Sequence, residues 1–307
     1  MNGDRLVRGF ACEHTVRCAA AVTTELVDEA CRRHRTSPTA AAALGRSLTA
    51  GLLLGTMLKE VEKLTLIFHC QGPIERITVE ADARGNVRGY VRNPSADLPL
   101  TDRSKFNVKG IVGGGMLYVM REGEYYRTGL YRDPYVGSVP IISGEIAEDI
   151  AYYLTQSEQI PSAVSLGVFV VPDGDRAFRV AAAGGFIVQT FPGTSPHVIA
   201  DLERSIAETP YITQLIRQGK GPEEILQTAL GKYDFEVLEI RPLRFRCTCS
   251  EERARRILAA LDPRYLQEML EEDGGAEMVC QFCSSTYRFT AEDLARLRAE
   301  AATDEPS

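Results

Sequence analysis

Alternating apolar and polar residues organise the first half of the chain. Lys63 to Cys70 (KLTLIFHC) begins as strict alternation, which predicts a strand with one buried face. Arg5 to Phe10 and Thr15 to Val22 also read as strands. Ile74 to Asp82 and Val87 to Arg92, joined by Ala83-Arg84-Gly85-Asn86, predict a hairpin. A glycine turn at Gly113-Gly114-Gly115 precedes expected strands at Met116 to Arg121 and Tyr125 to Tyr131. Val164 to Val171 and Arg176 to Ala182 flank the turn Pro172-Asp173-Gly174-Asp175, and a last strand is expected at Gly185 to Phe191. Two helices interrupt this series. Ser37-Pro38 supplies an N-cap and a proline at the first helical position for a long helix to about Leu58, and Gly144 to Gln156 is the second. The pattern is α+β.

After Pro192 the periodicity changes. Pro196 to Ala207, Pro210 to Gly219 and Pro222 to Leu230 predict three short helices punctuated by proline and glycine. Isolated helices below about 12–15 residues are marginal in water, so these three must lean on a neighbour. From about Pro242 a last unit follows. It has helices at Glu251 to Leu261 and Pro263 to Glu272, a Gly274-Gly275 break, a β-element around Met278 to Phe289, and a final helix from Thr290. Thr290 with Asp293 has the spacing of a capping box. The expected organisation is a core domain over 1–192, a helical linker region over 193–241 and a small C-terminal domain over 242–307.

Composition narrows the class. The 307 residues are 44% hydrophobic and 25% charged, which suits a globular chain of about two domains. No charged segment followed by an apolar run opens the chain, so no signal peptide is expected. The most apolar stretch, Ala40 to Leu58, is broken by Arg46 and Ser47 and reads as a buried helix, not a membrane span. The expectation is a cytoplasmic protein with no membrane partner. A formal charge of −7 argues against nucleic acid as a partner. From residue 250 onward there are 7 Lys and Arg against 13 Asp and Glu, so the C-terminal unit lacks the basic face of a nucleic-acid-binding zinc ribbon.

Four of the eight cysteines carry the strongest chemical signal. Cys247-Thr248-Cys249 and Cys280-Gln281-Phe282-Cys283 are separated by residues 250 to 279. Four soft sulfurs satisfy a tetrahedral zinc ion and leave no position open for substrate. In an extended segment residues two apart face the same way, so the C-x-C pair can present both sulfurs to one ion. The expected ligands are therefore Cys247, Cys249, Cys280 and Cys283, with one Zn2+ per chain. Cys12, Cys18, Cys31 and Cys70 have no chelating spacing and read as small core residues. Arg244, Arg246 and Arg288 lie close enough in sequence to offset the −2 charge of a four-thiolate zinc site.

No catalytic constellation emerges. The four histidines, His14, His34, His69 and His197, form no metal or nucleophile motif, and neighbours His69 and Cys70 face opposite sides of a strand. Gly113 to Gly115 lacks the lysine and hydroxyl residue of a phosphate-binding loop. Cys280-x-x-Cys283 as a thiol oxidoreductase motif would need a βαβ setting that its flanks do not supply. No enzyme is expected. The spacing leaves two readings of the cysteines: a permanent structural clip, or a switch in which oxidation of the thiolates releases the ion.

The residues that break this tie resemble a family. Phe245-Arg-Cys-Thr-Cys-Ser250, Val279-Cys-Gln-Phe-Cys283 and Tyr287-Arg-Phe289 are similar to the zinc motif of the 33 kDa chaperonin family, the redox-regulated heat-shock holdases. Ala43 to Leu54, Arg88-Gly-Tyr-Val91 and Gln156 to Pro161 extend the resemblance over nearly the whole chain. Asp262-Pro263-Arg264 departs from the more acidic helix start of the family. The resemblance implies an inactive, reduced, zinc-bound state. It also implies activation by oxidation to Cys247–Cys249 and Cys280–Cys283 disulfides with zinc release. The active form would be a homodimer that binds unfolded proteins without ATP and passes them to ATP-dependent chaperone systems. The alternative is a zinc-clipped, translation-associated binding module without a redox switch.

Overall fold

The computed structural model describes residues 3–59, 62–102, 105–122, 135–174 and 176–303. The chain forms two compact units, 1–246 and 247–307. In the first, the elements in order are β1 (Arg5–Ala11), β2 (Val16–Val22), α1 (Thr24–His34), α2 (Pro38–Gly55), β3 (Lys63–Cys70), β4 (Arg76–Asp82), β5 (Asn86–Val91), α3 (Val108–Val112), β6 (Gly115–Glu122), β7 (Tyr135–Pro140) and α4 (Ala147–Gln156). They continue with β8 (Ser162–Pro172), β9 (Phe178–Thr190), α5 (Pro196–Glu208), α6 (Ile212–Arg217), α7 (Pro222–Leu230), β10 (Phe235–Pro242) and β11 (Arg244–Phe245).

Two sheets hold these strands. One has the order β10-β1-β2-β9-β8 and the other β11-β5-β4-β3-β6-β7. Helix α2 packs on strands of both. Its sequence explains why. Pro38 starts it behind Ser37, whose side chain accepts from Ala40 N–H, and nearly every residue from Thr39 to Gly55 is buried. A helix apolar on all sides belongs in an interior, and small residues let both sheets come close. A Cβ on Gly45 would lie 2.5 Å from Val27, and one on Gly51 2.8 Å from Val79. The exception is Arg46, which reaches Glu145 at 2.6 Å.

Within the five-stranded sheet, β1, β2 and β9 bury apolar side chains on both faces. Leu6, Ala19, Ala21 and Ile187 belong to the core around α2. Their neighbours Val7, Cys18, Ala20, Phe186 and Val188 point the other way and pack on Leu202, Ile212, Leu215, Ile225, Leu226 and Leu230 of α5, α6 and α7. That is the neighbour the three short helices require, and it belongs to the same compact unit as 1–192.

Most expected elements are found, with differences that have physical causes. The strands expected at 176–182 and 185–191 are one strand, β9, running through Gly184-Gly185. These glycines are not a break but a close approach: a Cβ on Gly184 would lie 2.4 Å from the Ala21 carbonyl oxygen. Helix α1 and strands β7 and β10 lie where no element was expected. The glycine turn is real, since Gly115 has φ 134° and a Cβ there would lie 1.9 Å from the His69 carbonyl oxygen. The expected strand Tyr125 to Tyr131 and the turn residue Asp175 fall outside the described residues. Cys18 and Cys31 are buried, and Cys12 and Cys70 are half-buried. Burial pushes the thiols of Cys18, Cys31 and Cys70 up to about 12, so they stay protonated. Among the described residues no helix is long and apolar enough to cross a membrane.

The second unit contains α8 (Glu251–Ala259), α9 (Pro263–Glu272), β12 (Gly275–Val279), β13 (Thr286–Thr290) and α10 (Ala291–Thr303). Strands β12 and β13 form an antiparallel ribbon in which Met278 faces Tyr287 and Glu277 faces Arg288. Its core is small: Ala254, Leu258, Leu266, Phe289, Leu294 and Leu297 are the fully buried members. Asp262 caps α9 by accepting from Arg264 N–H, and the Arg264 guanidinium holds the Asp262 carboxyl down at about 2. Arg264 therefore serves the cap.

Candidate metal centre

Local structure delivers the four cysteines in two ways. Cys247 and Cys249 lie in the extended segment that runs into α8, whose N-cap is Ser250. Cys280 and Cys283 sit in the turn between β12 and β13. That turn is tight: Cys280 N–H donates to the Ser285 carbonyl at 2.9 Å and Ser284 N–H to the Cys280 carbonyl at 2.8 Å. Ser284 takes a positive φ of 56° to close it. The N–H groups of Phe282 and Ser285 hydrogen-bond the sulfurs of Cys280 and Cys283. Such N–H donors stabilise thiolates.

The ribbon and the extended segment bring all four sulfurs within 4.8 Å of one another. Cys247 Sγ lies 3.7 Å from Cys280 Sγ, and Cys249 Sγ lies 3.3 Å from Cys283 Sγ. Sulfurs about 2.3 Å from one ion at tetrahedral angles are about 3.8 Å apart, so this set can hold a metal ion in a closed site. Among the described residues it is the one cluster of at least three His, Cys, Asp or Glu side chains with that property. Cys283 is buried and the other three are half-buried.

The thiols are electrostatically unequal. Burial raises Cys249 and pushes Cys280 up to about 12. Burial also acts on Cys283, yet the Ser285 hydroxyl and N–H and the neighbouring sulfurs bring it down to about 7. Two hydroxyls line the cluster, Tyr287 Oη at 3.1 Å from Cys249 Sγ and Ser285 Oγ at 3.2 Å from Cys283 Sγ. Spacing arguments missed both. The signal was present: alternation along β13 puts Tyr287 on the face of buried Phe289. Arg288, expected to offset the thiolates, instead binds Glu277 at 2.9 Å across the ribbon.

Comparisons with known proteins find relatives over nearly the whole chain. Residues 4–290 match the sequence model of the family described as Hsp33 protein. A 33 kDa chaperonin of Bacillus licheniformis is 47% identical over 97% of this chain and 99% of its own length. A 33 kDa chaperonin of Geobacter sulfurreducens is 46% identical over 96% of this chain and 95% of its own. In three dimensions the chain is similar to the crystal structure of a 33 kDa chaperonin (Hsp33) from Thermotoga maritima. The TM-score is 0.91 at 36% identity, with 99% of this chain and 100% of that one covered.

Proposed function

We propose that this chain, which belongs to the Hsp33 family of 33 kDa chaperonins, is a chaperone switched by oxidation of its four-cysteine centre. The observation that carries the reading is the closed set of four sulfurs within 4.8 Å, in a unit whose own core is small. Zn2+ is the ion that suits four thiolates in a closed tetrahedral site. When bound, one ion per chain supplies a cross-link and holds the sulfurs of Cys247, Cys249, Cys280 and Cys283 deprotonated. Below about 70–80 residues a single core rarely contributes more than about 3–5 kcal/mol, so residues 247–307 depend on that cross-link.

Oxidation removes the ligands. One thiolate takes oxygen from hydrogen peroxide and becomes a sulfenic acid, with hydroxide leaving. A second thiolate attacks that sulfur, a disulfide forms and a second hydroxide leaves. The sulfur distances leave every pairing open. Family resemblance favours the sequence neighbours, Cys247–Cys249 and Cys280–Cys283. We assign residues 1–192 as the stable platform, 193–241 as the helices that give up order on activation, and 242–307 as the sensor. Loss of order in α5, α6 and α7 would uncover the apolar face of the sheet beneath them, a surface for unfolded proteins. Dimerisation on activation, hand-over to ATP-dependent chaperones, a cytoplasmic setting and the absence of catalysis belong to the same reading.

The test follows zinc release with a metallochromic dye during peroxide or hypochlorite treatment, beside the aggregation of a thermally unfolding client. The expected result is one zinc released per chain together with suppressed aggregation, and mapped disulfides joining sequence neighbours. Zinc retention, or release with no effect on aggregation, would favour the permanent clip and overturn the switch. Replacing Cys280 and Cys283 by Ser should weaken zinc binding and free client binding from redox control.

A further inference from the structure

Tyr287 touches both the sulfur cluster and the small core of the sensor unit. Its ring packs against the core formed by Leu258, Leu266, Phe289 and Leu294, and its strand position opposite Met278 fixes it there. Its phenol O–H donates to Cys249 Sγ at 3.1 Å. The donor acts on a sulfur whose lone pairs are what a hydroperoxide meets. A hydrogen bond to a thiolate withdraws electron density from those lone pairs and occupies one approach direction. It stabilises the thiolate more than the transition state for oxidation, in which the negative charge moves onto the departing oxygen.

We propose that Tyr287 is a positioning residue of the redox centre, whose hydrogen bond to Cys249 slows oxidation of the site and ties the state of that sulfur to the core of residues 247–307. The proposal rests on the redox reading above for its chemistry. In the step concerned, Cys249 sulfur attacks the peroxide, an S–O bond forms, the O–O bond breaks and hydroxide leaves. The sulfur loses two electrons and the peroxide gains them. A neighbouring thiolate then displaces the second hydroxide and closes the disulfide. Once the sulfur is in a disulfide it is a poor acceptor, and the phenol loses its partner. The hydroxyl then turns to water, and the tie between Cys249 and the core against which the ring packs is lost.

The test is Tyr287→Phe in the full-length protein, which keeps the ring and removes the donor. Two measurements are made on wild type and variant. The first is the sulfur-to-metal charge-transfer band after loading with Co2+, whose visible ligand-field bands report whether four sulfurs still assemble. The second is the rate of thiol loss to hydrogen peroxide in the zinc-loaded protein, read by alkylation and mass spectrometry. The expected result is a tetrahedral Co2+ spectrum with its charge-transfer band moved to lower energy, and faster oxidation. The increase should be about threefold to tenfold, equal to about 0.6–1.4 kcal/mol at about 1.36 kcal/mol per decade. Unchanged band and rate, slower oxidation, or loss of the tetrahedral spectrum would each overturn the proposal. The Co2+ band does not depend on the switch. If wild-type thiols resist peroxide while the band still moves in the variant, it is the redox reading that fails, and the contact to Cys249 stands.

Discussion

Asp4 caps a helix that starts twenty residues later in the chain. Its carboxylate accepts the backbone N–H of Leu26 at 2.6 Å and of Glu25 at 3.1 Å, doing at the start of α1 what the local N-cap residue, Thr23, does not do. The same residue's carbonyl accepts Leu243 N–H at 3.0 Å, so one position on the lead into β1 secures both α1 and the segment between β10 and β11.

Burial pushes the Asp4 carboxyl up from 3.8 to about 6, against the N–H groups of Leu26 and Glu25, which pull it down. Between these values the folded chain keeps a proton that the unfolded chain has released. The Asp4 contribution to stability is therefore largest below about pH 4, falls as pH rises to about 6 and is level above that. Urea unfolding at a series of pH values should show this fall in wild type and its loss in Asp4→Asn. Asp4→Ala should cost about 0.5–2 kcal/mol, as removal of a cap does. A wild-type minus Asp4→Asn difference that does not change over this window would refute the assignment.

The helix layer gives a second prediction. Leu226 is fully buried between α7 and the sheet face that carries Val7 and Phe186. Leu226→Ala should destabilise this layer by roughly 2–5 kcal/mol. Hydrogen exchange should then accelerate over residues 196–230 before it does in α2. If that face is the client surface, the reduced variant should already suppress client aggregation in part. Uniform exchange with no gain in activity would separate the layer from the function.

Metal removal should divide the chain at the boundary between its units. Treating the reduced, zinc-loaded protein with a strong chelator should abolish the helical signal of α8, α9 and α10, because the core of Leu258, Leu266, Phe289 and Leu294 is too small to hold them alone. The thermal transition of residues 1–246 should remain. Full retention of helicity in the metal-free chain would show that this core suffices.

The last helix has its own lock. Thr290 Oγ1 accepts Asp293 N–H at 3.2 Å while Asp293 Oδ2 accepts Thr290 N–H at 3.0 Å, a reciprocal capping box. Leu294 and Leu297, just beyond it, complete the core. Thr290→Ala should cost about 0.5–2 kcal/mol. Because folding and metal binding are coupled in so small a unit, the cost should emerge as weaker zinc affinity in a chelator competition. An unchanged midpoint would place α10 outside the coupled unit.

Local physics explains what could be read from the residues alone. Strand β3 matches its expected bounds because alternation needs no partner to be visible. Helices α7 and α9 also match, since Pro222 and Pro263 mark their first turns. Helix α1 lies outside the expected elements although Leu26, Val27, Ala30 and Cys31 lie on one face behind Thr23, and the carboxylate that caps it, from Asp4, is twenty residues away in the chain. Strand β10 hid because its exposed Val237, Leu238 and Ile240 break the alternation at a bulge, beside Arg8 and Gly9 of β1.

Ligand type and spacing singled out Cys247, Cys249, Cys280 and Cys283 before any fold was known, because chelation is a property of four side chains and the short segments that carry them. The α+β class and the interior position of α2 were likewise written into local periodicity. Only the tertiary structure decided that α5, α6 and α7 cover one face of a sheet, that Asp4 caps α1 and that Tyr287 touches Cys249. Each of these joins residues far apart in the chain, and such contacts are chosen by the packing of whole faces, which no local window contains.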